Sequence, residues 1–141
     1  MMIHYDIDTT ENGYNKIRGD AENIDKLKRV IFNDGNFPDC VGYIKADNLV
    51  NAVLCICAVK EFGVYIGISY DSREYLSLFD SECLNEAVDV WGDGLYVSRG
   101  LFVPAELAWS GIEDFIANGN LTDKIHWISP KDIPEDGNYI L

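Results

Sequence analysis

The sequence predicts a single α+β domain over residues 1–141, with an antiparallel sheet of four to six strands and two main helices packed on one face. Extended segments are grouped in the middle of the chain, and a helical pattern lies on either side of them. This order is typical of domains whose helices cover one face of an antiparallel sheet. A chain of 141 residues also fits one domain with one substantial core.

The N-terminal part contains one strand pattern and one helix pattern. Apolar and polar residues alternate through residues 3–8, which predicts a strand, and we place this strand at an edge of the sheet. Apolar residues at helical spacing predict a helix over residues 20–32, with Asp20 or Asn23 as its N-cap. Residues 36–48 read as a loop with at most a short extended piece at 41–44.

The middle of the chain predicts most of the sheet. Residues 49–61 are mostly apolar, as expected of a central strand covered on both faces, and residues 64–70 follow as its hairpin partner. Residues 75–79 form the next predicted strand. Two further extended runs flank the turn at residues 92–94, and we expect this hairpin to continue the meander.

The clearest helix lies in the C-terminal part. Pro104 occupies a first-turn position and Gly119 can end the helix in a left-handed conformation. Between them, six residues at spacings of one, three and four form a stripe that must face a core. These residues are Leu107, Ala108, Gly111, Ile112, Phe115 and Ile116. Residues 121–128 form a short closing segment, and the tail over residues 130–141 is expected to dock loosely.

The charge of the chain is its most informative bulk property. The formal net charge is −13, from 24 acidic and 11 basic residues. Since binding to a phosphate backbone needs clustered Lys and Arg, direct nucleic-acid binding is disfavoured. No apolar run reaches the length of a membrane span, and the N-terminus lacks a secretory signal, so we expect a cytoplasmic protein that does not bind membranes.

The residues that usually carry chemistry form no recognised motif. Cys55 and Cys57 lie two apart in a strand pattern and read as buried, reduced side chains. His4 and His126 sit at no metal-ligand or catalytic spacing, and the glycines form no nucleotide-binding loop. We therefore predict no catalytic residue, no metal site and no cofactor, and an enzyme remains the third hypothesis.

One acidic block stands out. Between Asp71 and Asp114 there are ten acidic residues and two basic ones, a local balance of −8. Aromatic residues interleave with these acids, a combination found in protein interfaces with aromatic anchors and a charged rim. These aromatics are Tyr70, Tyr75, Trp91 and Tyr96. The alternative is that they face the core, which alternation favours for at least half of them.

The same half of the chain resembles a family of bacterial immunity proteins, immunity protein one, from polymorphic-toxin and contact-dependent growth inhibition systems. The resemblance covers about half of the chain, and its elements occur in the family's order. They are GISYDSREYLSLFD from Gly67 to Asp80, the strand pair from Trp91 to Val97, LFVPAELAWSGIEDFIANGNL from Leu101 to Leu121, and Trp127.

The resemblance implies that the protein binds and neutralises a cognate toxin domain, often a nucleic-acid deaminase or nuclease with a basic substrate-binding surface. An acidic protein would associate rapidly with such a surface and could cover the active site. The candidate toxin-binding residues are Asp71, Glu74, Asp80, Glu82, Glu86, Asp89 and Asp93. The alternative is a small regulatory or ligand-binding α+β domain that is acidic only for solubility.

Overall fold

A computed structural model describes residues 1–10, 13–92 and 94–141 of the chain. These residues form nine strands, two α-helices and three short 3₁₀ turns. The strands are β1 (Ile3–Thr9), β2 (Asn15–Ala21), β3 (Cys40–Ala46), β4 (Ala52–Val59), β5 (Gly63–Tyr70), β6 (Arg73–Leu78), β7 (Ala87–Asp89), β8 (Tyr96–Ser98) and β9 (His126–Ile128). The helices are α1 (Ile24–Ile31) and α2 (Ala105–Asn118).

The main sheet is larger than the sequence predicts. Seven strands form one antiparallel sheet in the order β2-β1-β3-β4-β5-β6-β9, whereas four to six were expected. The strands predicted on either side of residues 92–94 do pair, but as β7 and β8 they make a separate two-stranded sheet. The extra strands are β2, which was not predicted, a full seven-residue β3 in the predicted loop, and the three-residue β9 in the predicted closing segment.

The first strand lies inside the sheet, so its predicted edge position is wrong. Ile3 pairs with Ala21 of β2 on one side and with Ala46 of β3 on the other. The edge is instead β2, where exposed Lys16 and Arg18 alternate with the half-buried Ile17. Charged side chains on an edge strand oppose pairing with other chains.

The central hairpin agrees with its prediction. β4 is the fourth of the seven strands, and it pairs with β5 along its whole length, from Ala52 opposite Tyr70 to Val59 opposite Gly63. β4 and β5 bury side chains on both faces because the sheet has a core on each side of them. This double burial is the reason for their nearly continuous apolar sequence.

Both helices pack on the same face of the sheet, as predicted. The first core joins α1 and α2 to residues of β1, β3, β4 and β5. Asn23 caps α1 by accepting a hydrogen bond from the Lys26 N–H at 2.9 Å. Gly119 ends α2 with φ of 70°, a left-handed conformation that suits glycine. The predicted stripe of α2 is buried apart from Leu107, which is partly buried against the same core.

The opposite face of the sheet is covered by the C-terminal tail, which corrects the expectation of loose docking. Tyr139, Ile140 and Leu141 pack against a second core that includes Cys57 and Tyr65. The Tyr65 hydroxyl donates a hydrogen bond to the Ile140 carbonyl. The tail is therefore an integral layer of the fold over the β4–β6 part of the sheet.

Candidate functional site

The candidate site is a cleft of about 450 Å³ at one end of the main sheet. The turn between β4 and β5 contributes Glu61 and Phe62 to its wall, and the segment after β6 contributes Phe79 and Asp80. Arg99 and Phe102, from the chain leading into α2, complete the polar and aromatic lining. Three separate stretches of sequence therefore meet here, at the end of the sheet where β6 finishes.

Asp80 is held in a defined orientation at the rim of this cleft. Its Oδ1 accepts a hydrogen bond from the Glu82 N–H at 3.0 Å, so that it caps the short 3₁₀ turn Ser81–Cys83. Its Oδ2 accepts from the Cys83 thiol at 3.3 Å. Behind it, the Phe79 and Asp80 N–H groups both donate to the Gly100 carbonyl, at 2.8 and 3.1 Å. The carboxylate position is thus fixed by local backbone structure.

Glu82 and Glu86 are exposed on the same segment as Asp80. Glu86 forms an ion pair with Arg99 at 3.1 Å, and both side chains are about half exposed. An exposed pair of this kind contributes little to stability. It does balance the charge of Arg99, the one basic residue of the cleft wall.

Asp89 has a structural role in the β7–β8 hairpin. Its carboxylate accepts hydrogen bonds from the N–H groups of Trp91, Gly92 and Gly94, at 3.2, 2.7 and 2.9 Å. Side-chain bonds of this type stabilise turns. A charge-reversing substitution at Asp89 would therefore remove these hydrogen bonds in addition to changing the surface charge. The candidate residue Asp93 lies outside the described residues.

Asp71 and Glu74 lie at the other end of β6 from Asp80. Asp71 is in the tight turn between β5 and β6, where Tyr70 pairs with Arg73, and Glu74 is exposed on β6. A six-residue strand spans roughly 20 Å, so these two acids are separated from the cleft by about that length. The described candidate residues therefore do not form one patch.

The aromatic residues of the acidic block divide between core and surface. Tyr70 packs edge-on against Phe115, and Tyr75 packs against the first core. Trp91 is half-buried with its ring edge-on to Tyr14, whereas Tyr96 is 44% exposed. The alternative of core-facing aromatics thus holds for Tyr70 and Tyr75.

Two features of the cleft were not predicted from the sequence. Phe79 is 61% exposed, so its ring can contact a partner at the cleft. The sequence pattern predicts it only as the last residue of a strand. Glu61 and Phe62 lie in the hairpin turn outside the acidic block and join the cleft only through the pairing of β4 with β5. The aromatic-acidic sequence Phe79-Asp80 is the one local signal that could have indicated the site.

The thiols have different environments in the core and at the cleft. Burial raises the pKa of Cys55 to about 12 and raises the pKa of Cys57 as well, so both are protonated at neutral pH. The hydrogen bond to Asp80 raises the pKa of Cys83. Across residues 1–10, 13–92 and 94–141, no three His, Cys, Asp or Glu side chains converge as metal ligands.

His4, on β1, bridges the carboxylates of Asp20 and Asp47 at a distance from the cleft. Its Nδ1 lies 2.5 Å from Asp20 Oδ1 and its Nε2 lies 2.8 Å from Asp47 Oδ1. An ionised carboxylate only accepts hydrogen bonds, so both contacts together require the doubly protonated imidazolium. The hydrogen bond to Asp20, followed by that to Asp47, raises the pKa of His4 above the ordinary 6.5.

A proton titration by NMR is expected to give a folded-state pKa for His4 above 6.5, and Asp20→Asn should lower it. Because the folded pKa is the higher one, the stabilisation is complete below pH 6.5 and is lost as pH rises through the folded value. His4→Gln assigns the resonance and should remove this pH dependence. A pKa unchanged by Asp20→Asn would contradict the bridge.

Comparison with known protein families, with curated proteins and with solved structures finds no match to this chain. Among the helices of the described residues, none has the length and apolar character needed to cross a membrane.

Proposed function

We propose that this protein is a cytoplasmic immunity protein that binds a cognate toxin C-terminal domain and neutralises it. The target is a basic, nucleic-acid-targeting domain, either a deaminase or a nuclease. Its active site is covered by the end of the sheet that carries the cleft with Glu61 and Asp80, which we call the acidic end. The observation that carries the proposal is the exposed Phe79 in a cleft that is also lined by the acidic residues Glu61 and Asp80, with the exposed Glu82 in the turn that follows.

The charges support this choice of partner. With a net charge of −13, the protein attracts a basic surface over long range, which accelerates association and opposes contact with acidic partners. A toxin domain that binds phosphates presents such a surface. Exposed carboxylates at the cleft can occupy the places that phosphates take on that surface, while Phe79 supplies apolar area to bury.

The proposal is tested with the product of the gene immediately upstream, the position at which a cognate toxin domain is expected. The two proteins are co-expressed, and association of the purified pair is followed by stopped-flow at several salt concentrations. We expect a stable complex, inhibition of the toxin activity, and an association rate that falls steeply with salt. Glu82→Lys should reduce the association rate roughly tenfold and flatten its salt dependence.

Asp25→Lys provides a matched control, because it makes the same charge change at an exposed position on α1, which packs on the first core. Its effect should be much smaller than that of Glu82→Lys. Glu74→Lys reports whether the other end of β6 takes part. Failure of the pair to associate, or equal effects of Glu82→Lys and Asp25→Lys, would count against the acidic end of the sheet as the binding surface.

The alternative is a small regulatory or ligand-binding domain, and one observation favours it. The cleft volume of about 450 Å³ falls in the range of small-molecule sites. The absence of any complex with the upstream domain would make this the better hypothesis.

A further inference from the structure

We propose that the cleft binds one arginine side chain of the basic partner. The guanidinium of this side chain contacts the aromatic walls and pairs with the carboxylates of the cleft. This inference rests on the proposed function for the identity of the partner. It goes further by naming the chemical group that the cleft receives and the residues that hold it.

The walls of the cleft present aromatic surface to a planar cation. Phe62 and Phe102 line the inner wall, 5.8 Å apart between ring centroids with a tilt of 46°. Phe102 is buried, so the half-buried Phe62 supplies the exposed ring surface of this wall. Phe79, 61% exposed, stands at the rim. A guanidinium stacks on aromatic faces and is attracted by their electron density. A ligand in the cleft would also cover the exposed Phe79 ring.

The polar groups of the cleft favour a cation over an anion. Glu61 and Asp80 contribute two carboxylates, and the opposing charge of Arg99 is already balanced by Glu86 at 3.1 Å. Within the part of the chain that the structure describes, no hydrogen bond or ion pair engages the Glu61 carboxylate. The charge of the lining is therefore negative, and Glu61 is available to pair with an incoming donor.

The geometry favours arginine over lysine. A cleft of about 450 Å³ is large enough for a long side chain, and its aromatic walls match a flat group. The guanidinium can stack on a ring while it donates two parallel hydrogen bonds to one carboxylate. The ammonium of lysine is more strongly hydrated and is a point charge, so it gains less from the aromatic walls.

The test is an NMR titration of the ¹⁵N-labelled full chain at low salt with N-acetyl-L-argininamide. N-acetyl-L-lysinamide and N-acetyl-L-norleucinamide are the comparison ligands. We expect argininamide to shift the amides of residues 61–62, 79–83 and 99–102, and to bind roughly fivefold more tightly than lysinamide. The uncharged norleucinamide should not shift them.

Variants then identify the residues that hold the cation. Phe79→Ser and Glu61→Gln should each weaken argininamide binding roughly threefold to fivefold, and both change exposed side chains, so the fold is kept. Tyr96→Ser removes another exposed aromatic and Glu74→Gln another exposed acid, both outside the lining of the cleft. These two control variants should bind argininamide like the original protein.

Three results would overturn the arginine cleft: shifts spread over all acidic surfaces, equal binding of lysinamide, or no effect of Phe79→Ser. The same variants are measured with the upstream toxin domain. Variants that no longer bind argininamide but still form the toxin complex would show that the cleft does not bind an arginine of the toxin. The proposed function would then still hold. Specific argininamide binding without a toxin complex would support the cleft and refute the proposed function.

Discussion

Phe115→Ala is expected to lower the free energy of unfolding by about 3–5 kcal/mol. Phe115 is 1% exposed and belongs to the predicted stripe in the last turn of α2, where its ring meets Tyr70 edge-on at 5.6 Å between centroids. Removing the ring loses its transfer free energy and leaves a cavity between helix and sheet. Because a domain of this size is stable by only about 5–15 kcal/mol, the loss is a large fraction of the total.

Urea unfolding followed by circular dichroism measures this loss. Glu113→Ala is the control on the same helix, since its side chain is only half-buried and its removal should cost no more than about 0.5 kcal/mol. Similar values for the two variants would show that the stripe of α2 does not pack as described.

The parts of the fold that sequence predicted well are those in which one physical signal dominates. The stripe of α2 repeats at helical spacing and ends at Gly119, whose φ of 70° needs glycine, so both the helix and its end could be predicted. The uninterrupted apolar sequence of β4 likewise indicated a strand with a core on both faces.

Strand β2 and the full length of β3 were not predicted because their residues are types that usually indicate loops or exposed surface. Gly42 reads as a loop residue, yet in β3 it permits close approach to β1, since a Cβ there would lie 2.5 Å from the Ile7 Cα. β2 carries charged residues because it is an edge, and this hides its alternation. The role of the tail depends on Tyr65 and Ile140, which are 75 residues apart. No local pattern encodes such a contact.

The candidate site also depends on contacts between residues that are distant in sequence. Local acid density could be counted, and the strand predicted over residues 75–79 already separates Asp71 from Asp80, but the prediction nevertheless treats these acids as one surface. The sequence could not show that the β4–β5 turn brings Glu61 beside Phe79. Only strand pairing determines which of the acids share a surface.

Gly100→Ala is expected to lower the free energy of unfolding by about 3 kcal/mol and to disturb the cleft at the same time. Gly100 is buried, and a Cβ there would overlap the carbonyl oxygen of Asp80 and lie 3.2 Å from the carbonyl carbon of Cys83. Both contacts are with backbone, which cannot rotate away. The two hydrogen bonds from Phe79 and Asp80 to the Gly100 carbonyl would be strained as the segments separate.

Gly19→Ala is the matched control for this prediction. Its added Cβ would meet the Tyr5 hydroxyl at 2.7 Å, but that group is the far end of a side chain that can move, so the expected cost is below about 1 kcal/mol. Gly100→Ala should also shift the amides of residues 79–83, whereas Gly19→Ala should leave them unchanged. A Gly100→Ala variant as stable as Gly19→Ala, with unchanged amides at 79–83, would show that Gly100 does not support Asp80. The position of the cleft carboxylate would then have to depend on its bonds to Glu82 and Cys83 alone.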